Sequence, residues 1–198
     1  MTPLIYLIGA SGVGKDSLLN YLRDHPQRNG RFSVTMRYIT RPETNCSEAH
    51  IELSQETFAD YLDDGRFVMN WDSHGFRYGI GREIKEQLEQ GIAVVVNGSR
   101  AYLPTASERF ENLIPVLVSV PAETLRHRLE ARGRDSAEQI EKRLQRAIEL
   151  DEGLHHPRLI RLDNDGPLEQ AGEQLLELIR RSQESSLTPL SLGERGRG

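Results

Sequence analysis

A glycine-rich loop near the start of the chain limits the possible folds more than any other feature. The apolar run Leu4–Ile8 predicts a buried strand, and a stretch with helical periodicity begins at Lys15. The sequence GASGVGK between them matches the pattern G-x-x-x-x-G-K, whose backbone N–H groups wrap phosphate when the loop joins a strand to a helix. We therefore expect a site for the phosphates of ATP, formed by Gly9, Ala10, Ser11, Gly12, Val13, Gly14, Lys15, Asp16 and Ser17.

The rest of the chain predicts an α/β fold. Short β-branched runs alternate with amphipathic stretches, which is typical of a parallel sheet flanked by helices. The predicted strands are residues 4–8, 33–39, 93–96, 114–120 and 159–162, and the predicted helices begin near residues 15, 82, 104, 122, 136 and 168. Together with the loop, this pattern predicts a P-loop NTPase fold.

One segment interrupts the alternation of strands and helices. Residues 44–78 contain predicted strands at 50–53 and 67–72 around a helix that begins after Ser54. We interpret this segment as a small inserted subdomain that binds the acceptor substrate. Residues 1–181 would then form one domain, and residues 182–198, rich in Ser, Gly and Pro, are expected to be a disordered tail.

Composition and charge exclude several classes of function. A net charge of -5 argues against a general nucleic-acid binder, which normally carries a basic surface. Cys46 is the only cysteine, so neither an intramolecular disulfide nor a cysteine-based zinc site can form. The first apolar run is too short to export or anchor the chain and follows no basic residues. These features predict a cytoplasmic protein with no nucleic-acid or membrane partner.

An aspartate follows the loop lysine, where loops of this kind normally have a Ser or Thr hydroxyl that binds Mg²⁺. The carboxylate of Asp16 would repel polyphosphate unless a cation lay between them. Asn97 follows the third predicted strand, where many such enzymes have an acidic residue instead. We therefore expect Asp16 to bind Mg²⁺ directly or through water; the alternative is that Ser17 supplies the hydroxyl and Asp16 only favours the helix N-terminus.

An arginine-rich segment predicts a lid over the phosphates. Arg132 and Arg134 flank a glycine, and Arg143 follows on a helix whose start has capping-box spacing. Such a segment can close over transferring phosphates, neutralise their charge and exclude water. The alternative is a solvated charged helix with i,i+4 pairs. We expect residues 126–147 to form the lid, and the catalytic residues to be Lys15, Arg132, Arg134 and Arg143.

These residues resemble a known family. The core, from residue 4 to about residue 181, is similar to the guanylate-kinase-like branch of the nucleoside monophosphate kinases, through GASGVGK, ITR at 39–41, YG at 78–79 and the lid sequence RGRDSAEQIEKRL. In that family, the arginine matching Arg41 and the tyrosine matching Tyr78 hold the acceptor phosphate. The lid arginines act on ATP and on the transferred group. The resemblance implies a phosphotransferase that uses ATP and Mg²⁺ and has a phosphate group as acceptor.

The positions that read guanine in guanylate kinase differ in this chain. The base-binding glutamate corresponds to Met69, a threonine or serine to Ile80, and an aspartate to Asn97. Because methionine and isoleucine accept no hydrogen bond from the guanine N–H groups, GMP is not the expected acceptor. The sequence instead adds Arg37 and Arg100, where guanylate kinase has a small polar residue and a glycine. A second anionic group on the substrate would require such cations.

The same departures resemble the ribose 1,5-bisphosphate phosphokinases of bacterial phosphonate catabolism. The similarity lies in GKDS, RYITR, SEAHIELS, YGIG and VVNGSRAYLP. It implies that the γ-phosphoryl group of ATP is transferred to ribose 1,5-bisphosphate, giving 5-phosphoribosyl 1-diphosphate (PRPP) and ADP. One phosphate of this small sugar would lie at Arg41 and Tyr78 and the other at the added arginines. The residues expected to bind the acceptor are Arg37, Arg41, His50, Tyr78, Asn97 and Arg100.

Some expectations rest on single residues, and some alternatives stay open. His50 corresponds to a phosphate-contacting tyrosine of guanylate kinase, and Asn164 lies in a loop expected beside the adenine of ATP. The alternative functions are a guanylate-type kinase and a non-catalytic guanylate-kinase-like module that binds phosphopeptides. The intact lysine loop and lid argue against the module. The sequence does not decide between a monomer and a homodimer.

Overall fold

A five-stranded parallel sheet forms the centre of the protein in the computed structural model, which describes residues 1–26, 30–42, 49–133 and 135–187. Its strands are β1 (Leu4–Ile8), β2 (Phe32–Val34), β7 (Ala93–Asn97), β8 (Leu113–Ser119) and β9 (Ile160–Asp163). Their order across the sheet is β2-β7-β1-β8-β9, and all neighbours are parallel. The predicted P-loop NTPase fold class is therefore confirmed.

Helices cover both faces of this sheet, which explains the unbroken apolar runs in its central strands. The helices of the described residues are α1 (Lys15–Asp24), α2 (Gln55–Asp63), α3 (Glu83–Glu89), α4 (Leu103–Arg109), α5 (Ala122–Ala131), α6 (Ala137–Glu152) and α7 (Leu168–Leu187), of which α2 belongs to the inserted unit. Ile5 and Leu7 of β1 share one buried cluster with residues of α1, α5, α6 and α7. Leu4, Tyr6 and Ile8 share the other with residues of α3 and α4.

The inserted unit is a second, four-stranded sheet. It contains β3 (Tyr38–Ile39), β4 (Ile51–Glu52), β5 (Phe67–Ser73) and β6 (Phe76–Gly81), in the order β4-β3-β6-β5. α2 starts where the sequence predicts, because the Ser54 side chain accepts a hydrogen bond from the Thr57 N–H at 3.0 Å. Met69 and Ile80 of this sheet pack into the same cluster as α3 and α4, so the unit lies against that face of the main sheet.

Several boundaries differ from the predictions. The predicted strand 33–39 is wrong as a single strand, because its ends, β2 and β3, belong to different sheets. β6 was not predicted, since its two glycines suggest a turn. The last helix extends to Leu187, so residues 182–187 are helical and were wrongly assigned to the tail, while residues 188–198 lie outside the described residues. No helix within the described ranges is long and apolar enough to cross a membrane.

The parallel arrangement brings the functional loops to one edge. The glycine-rich loop follows β1 at the centre of the sheet, Asn97 ends the neighbouring β7, and Asn164 follows β9. Because parallel strands present their carboxyl ends at the same edge, ligands in such sheets bind there.

Candidate active site

The glycine-rich loop has the backbone shape that phosphate binding requires. Gly14 forms the N-cap of α1 with a φ of 96°, and a Cβ at this position would lie 2.4 Å from the Asn164 side-chain nitrogen. The Lys15 ammonium donates to the carbonyl oxygens of Gly9 at 2.8 Å and Ala10 at 3.0 Å. The lysine is therefore held against the loop, and the helix N-terminus adds partial positive charge beside it.

Two side chains from other parts of the chain brace this loop. The Val13 carbonyl oxygen accepts hydrogen bonds from the Asn164 amide at 2.7 Å and from the Arg128 guanidinium at 3.2 Å. Arg128 also donates to the Asn164 carbonyl at 2.8 Å. Asn164 is 4% exposed, and its side-chain amide bonds to the glycine-rich loop. Its expected contact with adenine stays a prediction.

Asp16 and Asn97 meet beside the loop, although 81 residues separate them. The Asn97 amide nitrogen lies 3.5 Å from a carboxylate oxygen of Asp16, at the outer limit for a hydrogen bond. Asn97 is buried, Asp16 is half-buried and Ser17 is exposed. The described ranges contain no group of three or more His, Cys, Asp or Glu suited to a metal. A single carboxylate still fits Mg²⁺, which is usually held by one or two carboxylates together with substrate phosphates and water.

Three aromatic side chains, Trp71, Tyr78 and Tyr102, lie against one another between the inserted unit and the start of α4. We call them the aromatic wall. The ring of Tyr78 stacks on Trp71 with a centroid distance of 5.6 Å and an interplanar angle of 2°, and Tyr102 lies 5.5 Å from Trp71. The Arg37 guanidinium lies 5.0 Å from the Tyr78 ring centroid. This cation–π contact holds a positive charge against the wall. Arg37 and Tyr78, both expected at the acceptor, are thus brought together.

Arg41 and His50, two more residues expected at the acceptor, are in contact with each other. The Nε nitrogen of Arg41 is buried and has no hydrogen-bond partner among the described residues. Leaving such a donor unpaired is costly, so this guanidinium suits an anionic ligand. His50 is 3% exposed, and its Nε2 nitrogen lies 2.9 Å from the Arg41 carbonyl oxygen. His50 therefore holds the Arg41 backbone, and a direct contact between His50 and a phosphate stays a prediction.

Arg100 has a protein partner that the sequence did not reveal. Its guanidinium forms an ion pair with Asp151 near the end of α6, and both side chains are largely buried. The charge of Arg100 is therefore already balanced in the ligand-free chain. Arg100 is thus not the unpaired cation that the sequence suggested.

The predicted lid, residues 126–147, covers the second part of α5 and most of α6. Arg132 is the exposed C-cap of α5, and Arg143 forms an ion pair with Asp135 at 3.0 Å. Ser136 and Gln139 form the predicted capping box. A Lys142–Glu138 pair at 2.7 Å shows that i,i+4 pairs also occur on α6. Arg134, predicted to be catalytic, lies outside the described residues.

The sequence analysis did not identify three residues whose long-range contacts hold parts of the candidate site. They are Arg128, Asp151 and Tyr6, whose hydroxyl bonds to the Ser99 backbone. The contacts of Arg128 and Asp151 span 115 and 51 residues, so no local pattern identifies them. Tyr6 did carry a signal, because it is the one polar side chain in the buried run LIYLI. A buried hydroxyl requires a partner.

Comparisons of the sequence with known proteins identify a family and relatives of this chain. The guanylate kinase family model matches residues 1–182. The chain is 47% identical to the ribose 1,5-bisphosphate phosphokinase of Desulfomicrobium baculatum, over 90% of this chain and 95% of that protein. It is 49% identical to that of Psychromonas ingrahamii, over 89% of each.

Solved structures show the same fold at lower identity. The guanylate kinase of Anaplasma phagocytophilum superposes with a TM-score of 0.68 at 15% identity, covering 91% of this chain and 86% of that one. A gluconokinase from Sinorhizobium meliloti gives a TM-score of 0.51 at 21% identity, covering 93% and 95%. With the loop, the inserted sheet and the lid in place, this chain belongs to the guanylate kinase family, within the branch of the ribose 1,5-bisphosphate phosphokinases.

Proposed function

We propose that this protein transfers the γ-phosphoryl group of ATP to the 1-phosphate of ribose 1,5-bisphosphate, forming PRPP and ADP. The observation that carries the proposal is an exchange of side chains in the inserted sheet. Met69 and Ile80 are paired across β5 and β6 and are fully buried, so they offer no acceptor for a guanine base. Arg37 and Arg41 lie in the same unit and supply cations for a substrate with two phosphates.

The nucleotide side of the site consists of the loop and the lid. Residues 9–17 surround the β-phosphate, and Lys15 reaches toward the β- and γ-phosphates. Asp16 would hold Mg²⁺, which would supply positive charge to neutralise the phosphates. Arg132 and Arg143 lie over the transferring group when the lid closes. The cytoplasm supplies ATP, and the single cysteine suits its reducing conditions.

The acceptor side consists of the inserted sheet and the end of β7. Arg41 and Tyr78 bind the phosphate that receives the transferred group. Arg37 binds the second phosphate, and Arg100 joins it through guanidinium N–H groups that the ion pair with Asp151 does not use. Asn97 lies between the two sides, where its amide contacts Asp16.

The reaction needs little covalent assistance from the protein. An oxygen of the acceptor 1-phosphate bonds to the γ-phosphorus as the bond from that phosphorus to the β,γ-bridging oxygen breaks, and ADP leaves. A phosphate oxygen is already ionised at neutral pH, so no general base is required. Catalysis then comes from holding the two phosphates in line and neutralising the charge between them.

The first prediction is the order of acceptors. Ribose 1,5-bisphosphate should have a kcat/KM at least about a hundredfold above that of GMP, because a base without hydrogen-bond partners is bound poorly. Ribose 5-phosphate lacks the receiving phosphate and should give no PRPP. The assay couples ADP release to identification of the product. A higher kcat/KM for GMP would overturn the bisphosphate proposal and favour a guanylate-type kinase.

The same assay tests the second phosphate. Arg37→Ala should raise the KM for the bisphosphate roughly tenfold or more, the scale of a lost charge-assisted contact. Arg66→Ala is the matched control, because Arg66 also stacks on a tyrosine, with its guanidinium 4.2 Å from the Tyr61 ring centroid. Equal KM values for the two variants would contradict the role given to Arg37.

The second prediction concerns the metal. Asp16→Asn keeps the shape of the side chain and removes its charge, so the Mg²⁺ concentration for half-maximal rate should rise roughly tenfold or more. Ser17→Ala provides the comparison and should change this concentration little. If Ser17→Ala has the larger effect and Asp16→Asn behaves like wild type, the serine hydroxyl is the ligand and Asp16 only favours the helix N-terminus.

A further inference from the structure

We propose that Tyr6 is a positioning residue for the acceptor, acting through the turn at residues 98–100. The proposal rests on the function proposed above, in which Arg100, the last residue of that turn, binds the second phosphate of the acceptor. The Tyr6 side chain lies in the core of the main sheet, and we do not expect it to contact either phosphate of the acceptor.

The first observation is a reciprocal pair of hydrogen bonds. The Tyr6 hydroxyl donates to the Ser99 carbonyl oxygen at 3.1 Å and accepts from the Ser99 N–H at 3.0 Å. Tyr6 is fully buried. Burial raises the pKa of Tyr6 above its usual value, so the hydroxyl keeps its proton and remains able to donate. The Ser99 N–H is thus bonded to a side chain 93 residues away, while the Ser99 carbonyl oxygen also accepts from the Tyr102 N–H at 3.2 Å.

The second observation is the close approach of the turn to the tyrosine ring. A Cβ at Gly98 would lie 2.2 Å from the Tyr6 ring, so only glycine fits there without displacing the ring or the turn. The Gly98 N–H also donates to the Leu7 carbonyl oxygen at 2.8 Å. The turn is therefore fixed on β1 from both sides of Gly98.

The third observation is the position of the proposed acceptor cations around Tyr6. Arg100 directly follows the residue that Tyr6 holds. Arg37 is close enough to the Tyr6 hydroxyl to lower its pKa slightly, against the larger effect of burial. Asn97, at the other end of the turn, contacts Asp16. A shift of this turn would therefore move Arg100, whose backbone directly follows Ser99.

The hydroxyl has no evident use in packing alone. The other four residues of β1 are leucine or isoleucine and are equally buried. A phenylalanine at position 6 would keep the ring against Gly98 but remove the hydroxyl that accepts from the Ser99 N–H, while the Ser99 carbonyl oxygen would keep its bond from the Tyr102 N–H. Loss of a buried partner costs enough to shift a turn.

The test compares Tyr6→Phe with Tyr21→Phe. The Tyr21 hydroxyl also donates a hydrogen bond, but its acceptor is the exposed side chain of Glu173, at 2.7 Å. Tyr6→Phe should raise the acceptor KM roughly tenfold and leave the ATP KM within about twofold. Tyr21→Phe should change neither. The KM is measured for whichever acceptor the wild type turns over fastest, so failure of the bisphosphate assignment and failure of this inference are separate results.

Two further variants decide how Tyr6 acts. In a cycle with Arg100→Gln, the effects of Tyr6→Phe and Arg100→Gln on acceptor KM should not add, because both act through the same turn. Gly98→Ala reaches that turn without removing the hydroxyl and should also raise the acceptor KM. A lower melting temperature with an unchanged acceptor KM in Tyr6→Phe, or strict additivity in the cycle, would overturn the proposal. If Tyr6→Phe does not fold, an unchanged acceptor KM in Gly98→Ala would overturn it instead.

Discussion

Lys15→Ala is expected to lower kcat by about a thousandfold or more while the protein stays folded, the scale of losing a charge aimed at a transferring phosphoryl group. The Lys15 ammonium is held by the carbonyl oxygens of Gly9 and Ala10, in the loop that we propose surrounds the phosphates. Lys15 does not belong to the apolar cluster that packs α1 against β1, so the alanine variant keeps that packing and should fold normally.

The measurement is ADP release with the bisphosphate, together with the melting temperature. Lys85→Ala serves as the control, because Lys85 is an exposed lysine on α3 outside the proposed site. A folded Lys15→Ala protein with near-native kcat would contradict the assignment of the loop. A large loss of kcat in both variants would point to a general effect of removing a lysine rather than to a role in the site.

Arg143→Ala is expected to lower kcat by about a thousandfold, the lower end of the range for an arginine that stabilises the charge of a transferring phosphate. Asp135 holds one end of the Arg143 guanidinium at 3.0 Å, and 47% of the Arg143 side chain is exposed. A guanidinium has five N–H donors, so this ion pair orients the group and leaves donors available for phosphate. The KM for ATP should change less than kcat, since the contact is made mainly in the transition state.

Lys142→Ala is the matched control for Arg143→Ala. Lys142 is the neighbouring residue on α6, carries the same charge and pairs with Glu138 on the exposed surface. We expect it to keep nearly full activity. Arg143→Lys should recover only part of the rate, because an ammonium lacks the planar fork of the guanidinium. Equal activity of the alanine variants at positions 142 and 143 would support a solvated charged helix rather than a catalytic lid.

Cavity size alone would have pointed away from the candidate site. Two cavities of about 380 and 660 Å³ share Phe67 and Arg82 in their lining. Neither is lined by a residue of the glycine-rich loop or the lid. We expect the loop to bind phosphate through backbone N–H groups at the open edge of the sheet, where a ligand-free surface need not form a closed cavity. The sequence motif, rather than these two cavities, is therefore the basis for the proposed site.

Local sequence was sufficient for the elements whose signals are short. The strand Leu4–Ile8, the start of α1 at Lys15 and the capping box at Ser136 all occur where the sequence predicts them. Each depends on residues within one turn or one strand: an apolar run, a glycine loop before a helix, or a Ser and Gln three positions apart. The family resemblance then indicated how these elements work together in one site.

The sequence by itself determined which chemical groups this protein has: a glycine-rich loop with a lysine, an arginine-rich segment that we propose as the lid, and Met69 and Ile80 where guanylate kinase reads guanine. Only the tertiary structure decided which of those groups have partners. It divided the run 33–39 between two sheets, paired Arg100 with Asp151 and used Asn164 to brace Val13. The physical reason is that these contacts join residues 51 and 151 positions apart along the chain. A local sequence pattern does not show which distant group folding brings within hydrogen-bond reach.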